Sequence, residues 1–158
     1  NRGQAGIDGT IATAVGIAAG LGNARIAVPT GLGEPRDDAR GRAQASRVTA
    51  VMGDLTLCHD ASSLALAAAT GAELDIIVAD EHGNAATPEA YDRWFGVTQH
   101  VNYEALAAAY GVGFARAATP SELASVLADP PTGPRLIHAP VERAAHLYAQ
   151  ARNALNAS

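Results

Sequence analysis

A three-layer α/β fold on a mostly parallel sheet is what this chain predicts, and three observations predict it. Short apolar runs alternate with helix-forming stretches along the 158 residues, the pattern of a parallel sheet covered by helices. One run, "LDIIVA" at 74–79, is apolar almost throughout, as a strand buried on both faces requires. Hydrophobic residues make up 48 % of the chain, with no repeat, heptad or low-complexity tract, which fits one domain over 1–158 with a sizeable core. Crossovers between strands should be right-handed.

From Asp8 to Leu21 the residues are small and apolar, punctuated by Gly9, Gly16 and Gly20. They read as a buried helix lying close to other backbone and ended by Gly20 or Gly22. Residues 23–46 are rich in Gly, Pro, Arg and Asp and read as an inserted loop, with Ile26–Val28 as a stray strand. "RVTAVM" is the first strand of the main sheet. Asp60 starts a helix through "ASSLALAAAT" that Gly71 closes. "LDIIVA" follows as the second strand, and 80–99 is irregular around Gly83, Pro88 and Gly96. "NYEALAAAYG" is a capped helix ending at Gly111, and "VGFARA" is a third strand. "TPSE" supplies a Thr cap, a Pro at the first helical position and a Glu three residues after the cap, so "SELASVLA" is a helix from that point. "RLIHAP" is a fourth strand, and "VERAAHLYAQARNAL" is a closing amphipathic helix.

Composition excludes several functions. The net charge is −5, and 2 Phe, 1 Trp and 4 Tyr leave no basic cluster interleaved with aromatics, which disfavours nucleic-acid binding. No apolar run reaches the roughly 18 residues of an integral membrane segment. All 11 basic residues are arginine, so a Schiff-base lysine and a phosphate-loop lysine are both ruled out within this chain. Arginine is then the one permanent cation for substrate carboxylates. The single Cys58 fits a reducing, cytoplasmic setting and reads as a small buried residue. The start at Asn1, already site-like in "NRGQAGIDGT", suggests a piece of a longer chain.

In a parallel sheet the carboxyl ends of "RVTAVMGD" and "LDIIVADEHG" share an edge, where ligands bind in open α/β sheets. Asp54 and the Asp80/Glu81 pair then converge. Carboxylates with a backbone carbonyl are the hard oxygen ligands of Mg²⁺, an ion that keeps room for phosphate oxygens. Asp54 precedes a helix start near Asp60, so a diphosphate could be held by helix-end amides and cation together. Glu81 follows Asp54 by 27 residues, the reach from one parallel strand end to the next.

Gly-Asp at 53–54 with that spacing resembles the diphosphate-and-metal motif of thiamine diphosphate enzymes. "NRGQAGIDGTIATAVG" together with "GDLTLCHD" resembles one branch, the 2-succinyl-5-enolpyruvyl-6-hydroxy-3-cyclohexene-1-carboxylate synthases of menaquinone biosynthesis, in their carboxyl-terminal cofactor-binding domain. The resemblance covers most of the chain and implies the thiamine-diphosphate-binding fold. It implies that Asp54, Glu81 and the Gly83 carbonyl hold Mg²⁺ or Mn²⁺, and that Gly53, Leu55 and Thr56 line the diphosphate. Ile7 would lie under the cofactor and bend it into a V, and Arg2 would bind a substrate carboxylate.

The family's reaction, catalysed by a transferase, is decarboxylation of 2-oxoglutarate and addition of the resulting succinic semialdehyde unit to isochorismate. By the same resemblance the activating glutamate belongs to the amino-terminal domain of a second subunit in a homodimer or homotetramer, so this domain alone should not turn over. The chain departs from the pattern at "DEHGNAAT". Glu81 replaces a neutral metal-binding amide, and Ala86 and Thr87 replace an apolar pair. Two alternatives therefore stand beside this reading: another thiamine diphosphate carboligase or decarboxylase, and a degenerate domain that keeps only the fold.

Of the five histidines, His138 reads as a satisfied structural residue within its strand and His146 as solvent-facing. His59 and His82 flank the proposed site. Asp8 reads as the cap of the first helix, and Trp94 and Phe95 as core anchors.

Overall fold

The element boundaries follow from local chemistry. In the computed structural model, which describes residues 7–21, 47–80, 100–129 and 131–141, the elements run α1 (Thr10–Gly20), β1 (Val48–Gly53), α2 (Asp54–His59), α3 (Ser63–Thr70), β2 (Leu74–Asp80), α4 (Tyr103–Tyr110), β3 (Gly113–Arg116), α5 (Pro120–Ala128) and β4 (Arg135–Pro140). The capping box holds as read. Thr119 accepts from the Glu122 amide, Glu122 accepts from the Thr119 amide, and Pro120 opens the helix. Asn102 caps α4 by accepting from the Ala105 amide at 2.9 Å.

Helices α3 and α4 end alike. Gly71 and Gly111 take the left-handed conformation at φ 58° and 69°. The next amides, of Ala72 and Val112, reach back to the carbonyls of Ala67 and Ala107. These are the paired bonds of a Schellman ending, which glycine enters without steric cost.

The four strands are parallel in the order β1-β2-β4-β3. Moving from β1 to β2 and from β2 to β3 crosses the sheet in one direction; β3 to β4 moves back. Crossovers of constant hand must then place α3 and α4 on one face and α5 on the other, and the core divides that way. Helices α1 to α4 bury Ile11, Val15, Leu57, Leu64 and Ala107 against Val48, Met52, Leu74, Ile76, Val78 and Leu136. On the opposite face Leu123, Val126 and Leu127 of α5 pack on Ile77, Ile137 and Ala139. Successive residues such as Leu136 and Ile137 thus serve opposite cores, the period-2 alternation of a strand covered on both sides. Each fully buried Leu or Ile contributes about 1.5–3 kcal/mol.

Three expectations change. The helix does not start at Asp60: α2 begins at Asp54 itself, and after a turn at 60–62 a second helix starts at Ser63. The first helix is buried on one face only, with Ile17 and Leu21 exposed. A Cβ at Gly16 or Gly20 would meet no atom within 4 Å, so the described elements do not approach the helix closely there. The 23–46 insertion, the 80–99 irregular stretch beyond Asp80 up to Gln99, the closing helix, His82, His146, Trp94 and Phe95 lie outside the described residues.

Candidate functional site at the carboxyl edge of the sheet

Register places the predicted residues. Gly53 pairs with Ala79 across β1 and β2, and Asp80 with Pro140 across β2 and β4, so Asp54 and Asp80 leave the sheet at neighbouring points of one edge. Asp54 is the first residue of α2, and its Oδ1 accepts from the Leu55 amide at 2.8 Å. Gly53 has φ −83°, which any residue adopts, and a Cβ there would meet no atom of the described residues within 4 Å. Among the described residues neither packing nor backbone demands glycine at 53. It leaves open space beside the first turn of α2, where Asp54 already takes the Leu55 amide. Leu55 is exposed and Thr56 half-buried, so the Gly53–Thr56 segment is accessible.

The two aspartates have different roles. Asp80 is fully buried, with Oδ2 3.0 Å from His138 Nε2. The expectation of a structural His138 holds, and the Asp80 carboxylate is turned inward, away from the open edge. The ring of Tyr103, the first residue of α4, lies over His138 at a centroid distance of 4.4 Å. Its hydroxyl is buried against Asp80, short of a well-aligned hydrogen bond. Burial first, then the Asp80 charge and contact, and more weakly Asp54, hold Tyr103 well above the usual phenol range. Cys58 is pushed up by burial, then by Asp54 and Asp80.

The guanidiniums of Arg47 and Arg135 stand at the other end of the sheet. Both pair with the fully buried Asp75, Arg135 at 2.8 Å. They also donate to carbonyls at the end of α5: Leu127 from Arg47, and Val126 and the capping Asp129 from Arg135. Arg47 and Arg135 thus fasten the amino edge of the sheet to the end of α5. Asp54 offers a hard oxygen at an open position, which suits a Mg²⁺ ion that also carries phosphate oxygens. Among the described residues no three His, Cys, Asp or Glu side chains converge on one ion; Glu81, Gly83 and Arg2 lie outside those residues.

Ile7 lies in the turn before α1 and is 39 % exposed. Asp8 does not cap that helix. The N-cap is Gly9 at φ 67°, which has no side chain to offer, and Asp8 pairs with His59 at 2.7 Å on the surface. The cap comes from Asp60, whose Oδ2 accepts from the Ile11 amide at 2.6 Å and whose Oδ1 accepts from Ser63 Oγ at 2.6 Å. Asp60 and Tyr103 are the site-edge residues that sequence reasoning passed over. Asp60 read as an ordinary helix start, and no local signal pointed to a partner 49 residues away.

Residues 5–139 match the family model described as "Thiamine pyrophosphate enzyme, C-terminal TPP binding domain", thiamine pyrophosphate being thiamine diphosphate. The chain is similar to 2-succinyl-5-enolpyruvyl-6-hydroxy-3-cyclohexene-1-carboxylate synthases of several bacteria. The protein of Paenarthrobacter aurescens (strain TC1) is 34 % identical over 100 % of this chain and 27 % of its own length. That of Clavibacter michiganensis subsp. michiganensis (strain NCPPB 382) is 37 % identical over 90 % of this chain and 24 % of its own. That of Arthrobacter sp. (strain FB24) is 36 % identical over 91 % and 23 %. The chain therefore spans about a quarter of the length of the curated relatives it matches. No helix among the described residues is long and apolar enough to cross a membrane. A parallel sheet with an accessible Gly-Asp strand end and a match over residues 5–139 lead to one conclusion: this chain belongs to the thiamine pyrophosphate enzyme family, as its C-terminal TPP-binding domain.

Proposed function

We propose that this chain is the diphosphate- and metal-binding part of a 2-succinyl-5-enolpyruvyl-6-hydroxy-3-cyclohexene-1-carboxylate synthase. The observation that carries the reading is the β1–α2 junction. There Asp54 stands at an accessible strand end, at the first turn of α2 and on the edge that Asp80 shares. In this reading Asp54, the Glu81 side chain and the Gly83 carbonyl hold Mg²⁺ or Mn²⁺, and Gly53, Leu55 and Thr56 line the diphosphate. Ile7 supports the middle of the cofactor, and Arg2 takes a substrate carboxylate by a bidentate contact.

Thiamine diphosphate, when bound, supplies the electron sink for breaking and making bonds at the carbonyl carbon of a 2-oxo acid. The chain's own share is to orient and to balance charge. Asp54 offsets part of the metal's charge, the α2 amides meet anionic oxygens, and Ile7 keeps an apolar surface against the cofactor. The substrates in this reading are 2-oxoglutarate and isochorismate. The activating glutamate comes from the amino-terminal domain of a second subunit in a cytoplasmic homodimer or homotetramer, so this domain by itself is inactive.

Calorimetric titration of the complete protein with thiamine diphosphate, with and without Mg²⁺, tests the reading. Metal-dependent binding that Asp54→Ala abolishes is the expected result; metal-independent or absent binding overturns it. Formation of the succinyl adduct from 2-oxoglutarate and isochorismate then separates this synthase from another carboligase of the family. Cofactor binding without turnover of either would favour the degenerate domain that "DEHGNAAT" suggests.

A further inference from the structure

Helix α1 starts where it cannot cap itself. Gly9 occupies the cap position with no side chain, and the preceding Asp8 points to His59 instead. The Ile11 amide is satisfied by Asp60, which belongs to the turn after α2 and is 7 % exposed. The second oxygen of the same carboxylate accepts from Ser63 Oγ at the start of α3. Helix α3 carries the chain from the carboxyl edge of β1 back to the amino end of β2, so its start lies on the edge that carries Gly53–Thr56. One carboxylate thus ties together the end of α2, the start of α3 and the start of α1.

Both contacts are short, and the acceptor is a carboxylate at two helix N-termini, an arrangement that charge and helix dipole both favour. The surface pair of Asp8 with His59 ties the same turn to the same end of α2 a second time. Ile7 is one residue before that pair and Leu55 is four before His59. The placement of Ile7 relative to the Gly53–Thr56 segment therefore depends on contacts between the α1 entry turn and the 59–60 segment, which add to the packing of Ile11 and Val15 of α1 on β1.

We propose that Asp60 is a positioning residue that fixes the Ile7 turn against the diphosphate segment, so that the organic part of the cofactor and its diphosphate are received in one geometry. The proposal rests on the cofactor site described under Proposed function. It separates two probes. Inorganic diphosphate with Mg²⁺ engages the Gly53–Thr56 end only, whereas thiamine diphosphate with Mg²⁺ engages both that end and Ile7.

Calorimetry with the two probes on the complete protein tests it. Asp60→Ala should lower the preference for thiamine diphosphate over inorganic diphosphate about tenfold, with inorganic diphosphate affinity unchanged within about twofold. Asp60→Asn keeps an oxygen for Ile11 and can turn its amide to Ser63 Oγ, so it should restore most of the preference. Should Asp60→Ala fail to fold, Ser63→Ala, which frees one carboxylate oxygen, is read the same way and should cost about threefold in preference. A merely structural Asp60 would lower both affinities together or neither, and either result overturns the proposal. If the unmodified protein binds neither probe, the cofactor-site reading itself falls, which a failure confined to the Asp60 variants would not produce.

Discussion

His138 and Asp80 occupy adjacent parallel strands two register positions apart, and His138 Nε2 lies 3.0 Å from Asp80 Oδ2. His138 pairs in register with Val78, so the two side chains are diagonal neighbours on the face covered by α4. Tyr103 closes the pair from above. The buried carboxylate that ends β2 therefore has a fixed partner directly beneath the open edge.

Removing that partner should be costly. His138→Ala leaves the Asp80 carboxylate without its imidazole contact in a closed environment, and a hydrogen bond to a charged group contributes about 1.5–3 kcal/mol. Urea denaturation should show a loss of that size with an unchanged m-value. A loss under about 0.5 kcal/mol would mean that Asp80 is adequately held by its other neighbours.

Tyr103 gives a pH-dependent signature. Its hydroxyl is held above the usual phenol value in the folded chain, so the unfolded state loses its proton first. The stability tied to this group is complete below about pH 10 and declines as pH rises from there toward the folded-state pKa. Tyr103→Phe should flatten the alkaline limb of a stability-versus-pH curve. At neutral pH it should be neutral or stabilising by up to about 1 kcal/mol, because it removes a buried hydroxyl that lacks a good partner.

Asp75 is expected to be the costliest single acid in the sheet. It is fully buried between Arg47 and Arg135, and those arginines also hold the end of α5. Asp75→Ala strands two guanidiniums, a loss of about 3–5 kcal/mol for a broken buried pair. Thermal unfolding should reveal it, with little dependence on salt because the carboxylate is shielded from ions. Strong salt dependence would place the network on the surface.

Asp54→Ala should do the opposite, sparing the fold and removing function. Its one described hydrogen bond runs to the next residue's amide, so stability should change by less than about 1 kcal/mol, while Mg²⁺-dependent thiamine diphosphate binding disappears. Undiminished affinity in this variant would move the metal site elsewhere.

Glu81 tests the departure from the family pattern. Mg²⁺ requires near-octahedral geometry at about 2.0–2.1 Å, and a second carboxylate adds charge beside an anionic diphosphate. Like charges 4 Å apart repel by about 4 kcal/mol at an effective dielectric of 20. Glu81→Asn should therefore strengthen binding of the metal–cofactor unit and weaken binding of bare Mg²⁺, both readable by calorimetry at fixed ionic strength. Loss of cofactor binding would instead mark the glutamate as an adapted ligand.

The sequence by itself determined whatever depends on neighbours within about five residues. Thr119 with Glu122, Asn102 with Ala105, and the glycines at 71 and 111 fixed helix ends through bonds the local chain closes on itself. The apolar run at 74–79 fixed two-sided burial there, and parallel strands put Gly53–Asp54 and Asp80 on one edge. Tertiary structure alone decided the strand order with β4 between β2 and β3, the cap that Asp60 lends to Ile11, the embrace of Asp75 by two arginines, and the inward turn of Asp80 to His138. The side-chain contacts among these join groups 28 to 60 residues apart. A carboxylate's partner at that range is set by which strands the packed core brings side by side, and not by its neighbours in sequence.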